Sequence, residues 1–325
     1  MKKIAITMGD PNGIGPEIIV KMLDGNFPYD QCFPVVVGDN YVLNKAAEVC
    51  GINDFSQKYG KYICHVDTGF KQITPGTVTK EGGRASFEYI RKSVELCLSG
   101  ECAAVATAPI NKESLRAADI PYIGHTEIYA GLTDTKDPLT MFETDGLRIF
   151  FLTRHLSLAN SIKAMTQDRL VDYVIRCTEA LDRIGAASGM MAVAGLNPHC
   201  GEHGLFGDEE GRIIEPAVKE ASAILGEKYG NRCNVTGPVA ADSVFHLAHK
   251  GKYSCVLSLY HDQGHIAAKT LDFERTISIT HGLPFLRTSV DHGTAFDIAW
   301  KNIASPVSMR EAVVLACKYT SDNIN

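Results

Sequence analysis

The sequence has no excess of positive charge. Its 325 residues include 32 Lys and Arg against 38 Asp and Glu, which gives a net charge of −6. Domains that bind nucleic acid usually present a basic surface, so this balance argues against a nucleic-acid ligand. An acidic small molecule would have to be held by local groups of cations.

The sequence also lacks a CxxC pair, and its ten cysteines are scattered along the chain. Scattered single cysteines are typical of reduced, mostly buried side chains in a cytosolic protein. We therefore expect no disulfide framework and a cytoplasmic location. Cys200, next to His199, is the one candidate for a reactive thiol or a metal ligand.

Long hydrophobic runs are absent. The basic start MKKIAITMGD contains an apolar stretch only as long as a strand, and Gly9, Asp10 and Pro11 interrupt it. We expect neither a signal peptide nor a membrane-spanning helix. The hydrophobic content of 45% is nevertheless ordinary for a globular protein with a large core.

Short β runs alternate with segments in which apolar residues have helical spacing. This alternation predicts an α/β fold with mostly parallel strands and crossover helices. We expect strands at 4–8, 34–37, 103–107, 149–152, 190–194 and 255–259, and helices at 86–98, 168–184, 213–225 and 308–319. The Gly-, Thr- and Asp-rich segment at 131–138 is the best candidate for a domain boundary.

Three of the expected strands are followed by histidines. His261 comes with Asp262 and His265 directly after one strand, while His155 and His199 follow two others. Ligand-binding residues of α/β proteins gather at the carboxyl ends of strands. Three imidazoles with one open position suit a catalytic divalent metal. We predict such a site, whether its ligands come from one subunit or from two.

The loop MGDPNGIGPEI leads from a strand to a helix expected near Pro16. Gly13 and Gly15 match the first two glycines of GxGxxG, but position 18 is isoleucine, and no P-loop lysine is present. The loop therefore fits neither dinucleotide fingerprint nor P-loop, and it could be a purely structural turn.

Cations and hydroxyls mark further helix starts. The motif TAPINK at 107–112 ends in a lysine, which could position an acidic substrate or belong to an ordinary connection. His125 and Thr126 open another helix, an arrangement that suits phosphate. Lys269 and Arg287, which follow the His261 motif in the chain, add two cations. A phosphate ester is therefore a plausible substrate.

Eight motifs between residues 8 and 295 resemble the 4-hydroxythreonine-4-phosphate dehydrogenase family: MGDPNGIGPE, TAPINK, GHTE, TRHLSL, LNPHCGE, GPVAAD, YHDQGH and GLPFLRTSVDHGTA. The resemblance implies two α/β domains of the isocitrate/isopropylmalate dehydrogenase type. It also implies a homodimer whose active site lies in the interdomain cleft and is shared between subunits. We expect one domain at 1–130 plus 280–325, and a second at 131–279 that carries most metal ligands.

The same resemblance implies NAD and a divalent metal (Zn, Mg, Mn or Co) as cofactors and assigns three sets of residues. The metal ligands are His155, His199 and His261. The substrate-binding residues are His125, Thr126, Lys269, Ser278 and Arg287. The candidate catalytic residues are Asp242, Asp262 and Lys269, and the general base could be either aspartate or a metal-bound water. The residues that bind NAD stay unassigned, because no fingerprint marks them.

Two departures from the vitamin B6 branch of the family bear on the substrate. Ser278 stands where that branch carries asparagine, and His265 with the run FDIAW at 296–300 resembles the subgroup that oxidises 4-phospho-D-threonate or 4-phospho-D-erythronate. We favour these substrates, with oxidation by NAD followed by decarboxylation. The alternative is 4-phosphohydroxy-L-threonine in pyridoxal 5'-phosphate biosynthesis.

Three other classes compete with a dehydrogenase. A phosphate acyltransferase would leave the three histidines without a role, and a metal-dependent phosphohydrolase would more often have an Asp-rich site. A non-catalytic binding protein would leave the polar strand ends unexplained.

Overall fold

The computed structural model describes residues 1–25 and 27–320, which form two compact α/β units. Of the described residues, unit 1 comprises 1–138 and 277–320, and unit 2 comprises Leu139–Thr276. The chain thus passes between units at 138/139 and 276/277. The domain division expected at 130/131 and 279/280 stays a prediction.

Unit 1 is built on six strands in the order β3-β2-β1-β4-β11-β10, all parallel except the antiparallel pair of β10 and β11. The strands are β1 Lys2–Thr7, β2 Cys32–Gly38, β3 Ile63–His65, β4 Ala104–Thr107, β10 Ile277–His281 and β11 Leu286–Val290. The helices are α1 Gly15–Asp24, α2 Asn40–Val49, α3 Phe55–Tyr59, α4 Lys80–Leu98, α5 Lys112–Ala117, α6 His125–Leu132 and α12 Val307–Lys318.

The glycine-rich loop after β1 packs against the chain that leaves β4. The Asp10 amide donates to the Pro109 carbonyl at 3.0 Å. Gly9 has φ +75°, and a Cβ on it would lie 2.2 Å from that carbonyl oxygen, so only glycine fits there. Helix α1 then begins at Gly15 with proline in its first turn, as predicted. This glycine serves close backbone packing at the point where the strand order reverses.

The segment after Thr294 is irregular, although its apolar residues are compatible with a helix. Trp300 and Asn302 have positive φ, which a right-handed helix excludes. Both backbone amides instead donate to the buried carboxylate of Glu17, at 2.5 and 2.7 Å. These hydrogen bonds to α1 take the place of helical ones.

Unit 2 is built on five strands in the order β5-β6-β9-β7-β8, parallel except for β5 with β6. The strands are β5 Leu139–Thr144, β6 Leu147–Phe151, β7 Gly189–Ala194, β8 Cys233–Val239 and β9 Cys255–Ser258. The helices are α7 Leu158–Ala164, α8 Gln167–Arg183, α9 Glu215–Tyr229, α10 Ala241–His249 and α11 His261–Leu271, with a wider π-helical turn, Glu210–Ile214, leading into α9.

The central strands of unit 2 are apolar because helices cover both faces of a parallel sheet. Side chains of β6, β7 and β9 join those of α10 and α11 in one buried core. All strands and helices expected from the sequence are present in the two units, with ends shifted by a few residues. The predicted α/β fold class is therefore confirmed.

All ten cysteines are free, as expected, and seven of them are buried. Within the two described segments, no helix is both long enough and apolar enough to cross a bilayer.

Candidate functional site

The side chain of Arg287 lies inside unit 1 with only 3% of its surface exposed. Its Nη1 donates to the Thr280 hydroxyl on β10 at 2.9 Å, and its Nη2 donates to the Thr107 hydroxyl at the end of β4 at 3.0 Å. Its Nε has no hydrogen-bond partner within the described chain. Both partners are neutral hydroxyls, so no carboxylate hydrogen-bonds to the buried guanidinium, and the charge of Glu127 acts on it only through space.

Helix α6 supplies the other side of this pocket. The guanidinium carbon of Arg287 lies 5.4 Å from the ring centroid of Tyr129, and the His125 ring stacks on the same tyrosine at 6.5 Å. His125 and Tyr129 are four residues apart and share one helix face. The Ser93 hydroxyl fixes Tyr129 through a 2.8 Å hydrogen bond to its OH. We call the group formed by Thr107, His125, Tyr129, Thr280 and Arg287 the anion pocket.

Electrostatics of the anion pocket favour a bound anion. Burial lowers the pKa of Arg287 to about 10. Burial, followed by the charge of Arg287, lowers the pKa of His125 well below its ordinary value of 6.5, so this imidazole is neutral. The Nε2 atom of His125 is buried without a partner in the part of the chain that the structure describes. A buried cation and an unused imidazole nitrogen are stabilised together when an anion binds between them.

Two other predicted substrate residues lie close to the anion pocket. Thr126 is the second residue of α6. Ser278 lies on β10 two residues before Thr280, so both point to the same face of the sheet. Arg287 is the register partner of Thr280 on β11 and shares that face. The structure therefore brings four of the five predicted substrate residues into one part of unit 1.

The fifth predicted substrate residue, Lys269, belongs to unit 2. It lies on α11 with its ammonium 5.3 Å from the ring centroid of Phe273.

A second group of polar side chains lies at the carboxyl ends of β6 and β9 in unit 2. We call His155, His261, Asp262 and His265 the histidine cluster. The rings of His155 and His261 are 6.1 Å apart, and His265 stacks on His261 at 3.7 Å and 14°. A cavity of about 300 Å³ opens beside His155, His261 and Asp262.

Each partner of His261 restricts its ring. Its Nδ1 is 2.6 Å from an Asp262 carboxylate oxygen, and this contact favours a proton on Nδ1 and leaves Nε2 as the acceptor. His265 is wedged against the rings of Phe142 and Phe151, with centroids 4.4 and 4.7 Å away. Burial is the main reason that the pKa of His265 falls to about 3. The neutral ring of His265 therefore packs against one face of the His261 ring.

The third predicted metal ligand, His199, lies in an unusual backbone segment after β7. Five consecutive residues from His199 to His203 have positive φ, and four of them are not glycine. The buried carboxylate of Glu210 holds the entrance to this left-handed turn. It accepts the amides of Leu196 and Asn197 at 2.8 and 2.7 Å and the Asn197 side-chain amide at 2.9 Å.

Replacing Glu210 with glutamine should destabilise unit 2 by about 2 kcal/mol, because one acceptor oxygen becomes a donor that faces the Asn197 amide. Glu209→Gln is the matched control. Its carboxylate makes one 2.7 Å bond to the same amide and is only half-buried, so we expect a small change. Urea unfolding followed by circular dichroism measures both. Equal stabilities of the two variants would contradict the role given to Glu210.

The three predicted metal ligands do not form one group. In residues 1–25 and 27–320, no three His, Cys, Asp or Glu side chains lie together as ligands of one metal ion. His261 and His265 are stacked in parallel, so their nitrogens do not converge, and His199 lies on the separate left-handed turn. One described chain therefore does not fit a three-histidine metal site, and that site stays a prediction.

The candidate catalytic residues occupy different places in unit 2. Asp262 is 72% exposed and bonded to His261. Asp242 lies in the first turn of α10, where Ala240 is the N-cap residue. Its charge contributes to a raised pKa of Cys200, mainly caused by burial, and this effect shows that Asp242 lies near the left-handed turn.

Sequence reasoning missed three contributors to these sites: Tyr129, Thr280 and Glu210. Tyr129 could have been found from its spacing of four residues from His125 on a helix. Thr280 could have been found only if β10 and β11 had been expected to pair. Glu210 resembles an ordinary surface glutamate in the sequence.

Comparison with known proteins gives consistent results. The family model described as pyridoxal phosphate biosynthetic protein PdxA matches residues 30–316. A Clostridium botulinum protein provisionally named D-threonate 4-phosphate dehydrogenase is 55% identical over 98% of this chain and 96% of its own length. A Fusobacterium nucleatum protein with the same provisional name is 54% identical over 98% and 97%.

Among solved structures, the 4-hydroxythreonine-4-phosphate dehydrogenase of Klebsiella pneumoniae superimposes with a TM-score of 0.84. It is 39% identical, and the match covers 99% of this chain and 100% of that one. This likeness supports a fold related to the isocitrate/isopropylmalate dehydrogenase type. The chain belongs to the PdxA family of dehydrogenases.

Proposed function

We propose that this enzyme uses NAD to oxidise a 4-phosphorylated 3-hydroxy acid, with 4-phospho-D-threonate or 4-phospho-D-erythronate as substrate, and that the product loses carbon dioxide. Relatives that are 54–55% identical carry the D-threonate 4-phosphate name, whereas the structural relative named for 4-hydroxythreonine 4-phosphate is 39% identical. This difference in similarity supports the sugar-acid substrate over the vitamin B6 substrate.

The observation that carries the proposal is the buried charge of Arg287. A buried cation without a carboxylate partner is costly in a folded protein, and a bound phosphate removes that cost. Guanidinium groups bind phosphate through short charge-assisted hydrogen bonds. The Nε of Arg287 and the Nε2 of His125 are the two atoms in the anion pocket that a phosphate oxygen would contact.

The position of Ser278 supports the choice of substrate. It shares a sheet face with Thr280 and Arg287, so its hydroxyl faces the part of the substrate adjacent to the phosphate. A serine reaches less far than the asparagine of the vitamin B6 branch. This shorter contact is compatible with a substrate that carries a hydroxyl group instead of an amino group at C2.

Proton transfer can be assigned to a short set of groups. The substrate hydroxyl must lose a proton as hydride leaves the same carbon, so a general base must be within hydrogen-bond reach of it. Asp262, whose exposed carboxylate contacts His261, and Asp242, in the first turn of α10, are the candidate bases. Both lie in unit 2.

Family membership favours a divalent metal in addition to NAD. Such a metal would stabilise the negative charge that develops on the substrate oxygen during oxidation and decarboxylation. Because one described chain does not gather His155, His199 and His261 as ligands, we assign no step to the metal. A homodimer with an active site shared between subunits is part of the same proposal.

The test is NADH formation by the purified enzyme with each of three substrates and added Mg²⁺, Mn²⁺, Co²⁺ or Zn²⁺. We expect turnover with 4-phospho-D-threonate or 4-phospho-D-erythronate, and a kcat/KM at least about 100-fold lower for 4-phosphohydroxy-L-threonine, because a mismatched polar contact costs several kcal/mol. Preference for the amino substrate would overturn the proposed substrate class. The absence of turnover with all three would overturn the proposed reaction.

A further inference from the structure

Helix α6 begins without a cap. Its N-cap residue is Gly124, which has no side chain to accept a hydrogen bond. The first helical bond is donated by Ile128 to the Gly124 carbonyl, and the amides of His125, Thr126 and Glu127 have no partner in the chain outside positions 26 and 321–325. Free amides and the helix dipole favour an anion at this end.

An independent observation points to the same ligand. Arg287 is almost completely buried, its Nε is unpartnered, and it contacts the face of α6 that carries His125. The charge of Arg287 acts on His125, the first residue of the helix. The anion pocket and the uncapped end of α6 are therefore parts of one binding site.

The carboxylate of Glu127 contributes to the net charge of that site. Glu127 lies in the first turn of α6, and its carboxylate is 3.4 Å from where a Cβ of Gly124 would be. With His125 neutral, Glu127 and Arg287 carry opposite charges and together give a net charge of zero. One positive and one negative charge cancel, so Arg287 and Glu127 alone would attract a doubly charged phosphate only weakly.

Lys112 supplies the missing positive charge. Its Cε lies 3.7 Å from the Cβ position of Gly124, so its ammonium is at the uncapped end of α6. Lys112 is the first residue of α5, and the Asn111 side chain fixes that helix start by accepting the Ser114 amide at 2.9 Å. Lys112 is exposed and makes no ion pair with any residue that the structure describes.

We infer that Lys112 is a binding and specificity residue for the substrate phosphate, which it contacts from the solvent side while Arg287 contacts it from inside. It selects a terminal phosphate monoester, because two cations and three helix amides outweigh the charge of Glu127. This inference rests on the proposed function, since the same pocket is taken to hold the substrate phosphate. It also gives a role to the lysine of the TAPINK motif.

Inorganic phosphate binding, measured by calorimetry without turnover, tests the inference directly. Lys112→Met should weaken phosphate binding about 10-fold, as expected for loss of one partly exposed charge contact, and Lys112→Arg should restore most of it. Lys80→Met is the matched control, because Lys80 is an exposed lysine of unit 1 that pairs with Asp119 at 3.3 Å. We expect wild-type affinity in that control.

Steady-state kinetics provide the second measurement. Lys112→Met should raise KM for 4-phospho-D-threonate about 10-fold and change kcat by less than about 2-fold, because the lysine does not contact the reacting carbon. Equal phosphate affinities of the wild type and Lys112→Met would overturn the inference. Arg287→Met in the same titration separates the role of Lys112 from the assignment of the anion pocket. If only Arg287→Met abolishes phosphate binding, the anion pocket binds phosphate without Lys112. If Arg287→Met binds phosphate normally, the assignment of the anion pocket fails as well.

Discussion

Arg287→Met is expected to raise KM for 4-phospho-D-threonate by about 100-fold or more, which corresponds to roughly 3 kcal/mol of lost binding. The free energy of unfolding should stay the same or increase, since methionine removes a buried charge that forms no ion pair with a carboxylate. Thr107 and Thr280 lose one hydrogen bond each, which limits the gain. Steady-state kinetics and urea unfolding of the same preparation measure both quantities.

Arg148→Met is the matched control for the expected combination of a higher KM with unchanged or increased stability. Arg148 is also largely buried, but it pairs with the buried carboxylate of Glu143 at 3.3 Å. Its removal leaves that carboxylate unpaired, so stability should fall while KM stays near the wild-type value. If Arg287→Met lost stability as Arg148→Met does and kept its KM, Arg287 would be a structural residue and the anion pocket would hold no phosphate.

His199→Asn is expected to lower kcat/KM by at least about 100-fold and to reduce the metal content of the purified enzyme. Mutation of residues that merely support a metal ligand costs 10- to 100-fold, so loss of a ligand should cost at least about as much. Asparagine tolerates the left-handed backbone at this position, and the substitution therefore adds little strain. Kinetics with and without added metal, together with elemental analysis, measure the two effects.

His203→Asn controls for the shape of the left-handed turn. His203 lies in the same turn, has φ 57° and is exposed, but was not predicted to bind metal. Wild-type activity and metal content are expected. Full activity of His199→Asn would remove His199 from the predicted metal site, and equal losses in both variants would mean that the turn matters for its shape alone.

The strands and helices that could be predicted are those in which burial produces a clear pattern of apolar residues. Strands β6, β7 and β9, which precede His155, His199 and His261, are continuous apolar runs because both faces of a parallel sheet are covered. Strands β10 and β11 were missed for the opposite reason. Ser278, Thr280 and Arg287 place polar groups on one face of these strands, since that face forms the anion pocket. These two strands therefore lack the continuous apolar run that β6, β7 and β9 show.

The candidate site was predicted unevenly for a related reason. His125 and Arg287 were assigned by family resemblance, but Thr280, which contacts Arg287 from the neighbouring strand, was missed because that contact depends on strand pairing. Burial of Glu210 is likewise a tertiary property, since only the folded loop brings the amides of Leu196 and Asn197 to its carboxylate. Sequence patterns predict elements better than contacts between them.

In the described part of the chain, unit 2 is one uninterrupted stretch between the two parts of unit 1, and this arrangement sets an order of events on the ribosome. Strand β4 is synthesised early, but its parallel neighbour β11 emerges only after all of unit 2. Unit 2 can therefore fold co-translationally while the hydrogen-bonding edge of β4 is still open. Nascent chains stalled between residues 276 and 286 would carry this unpaired edge and are the species for which chaperone protection matters most.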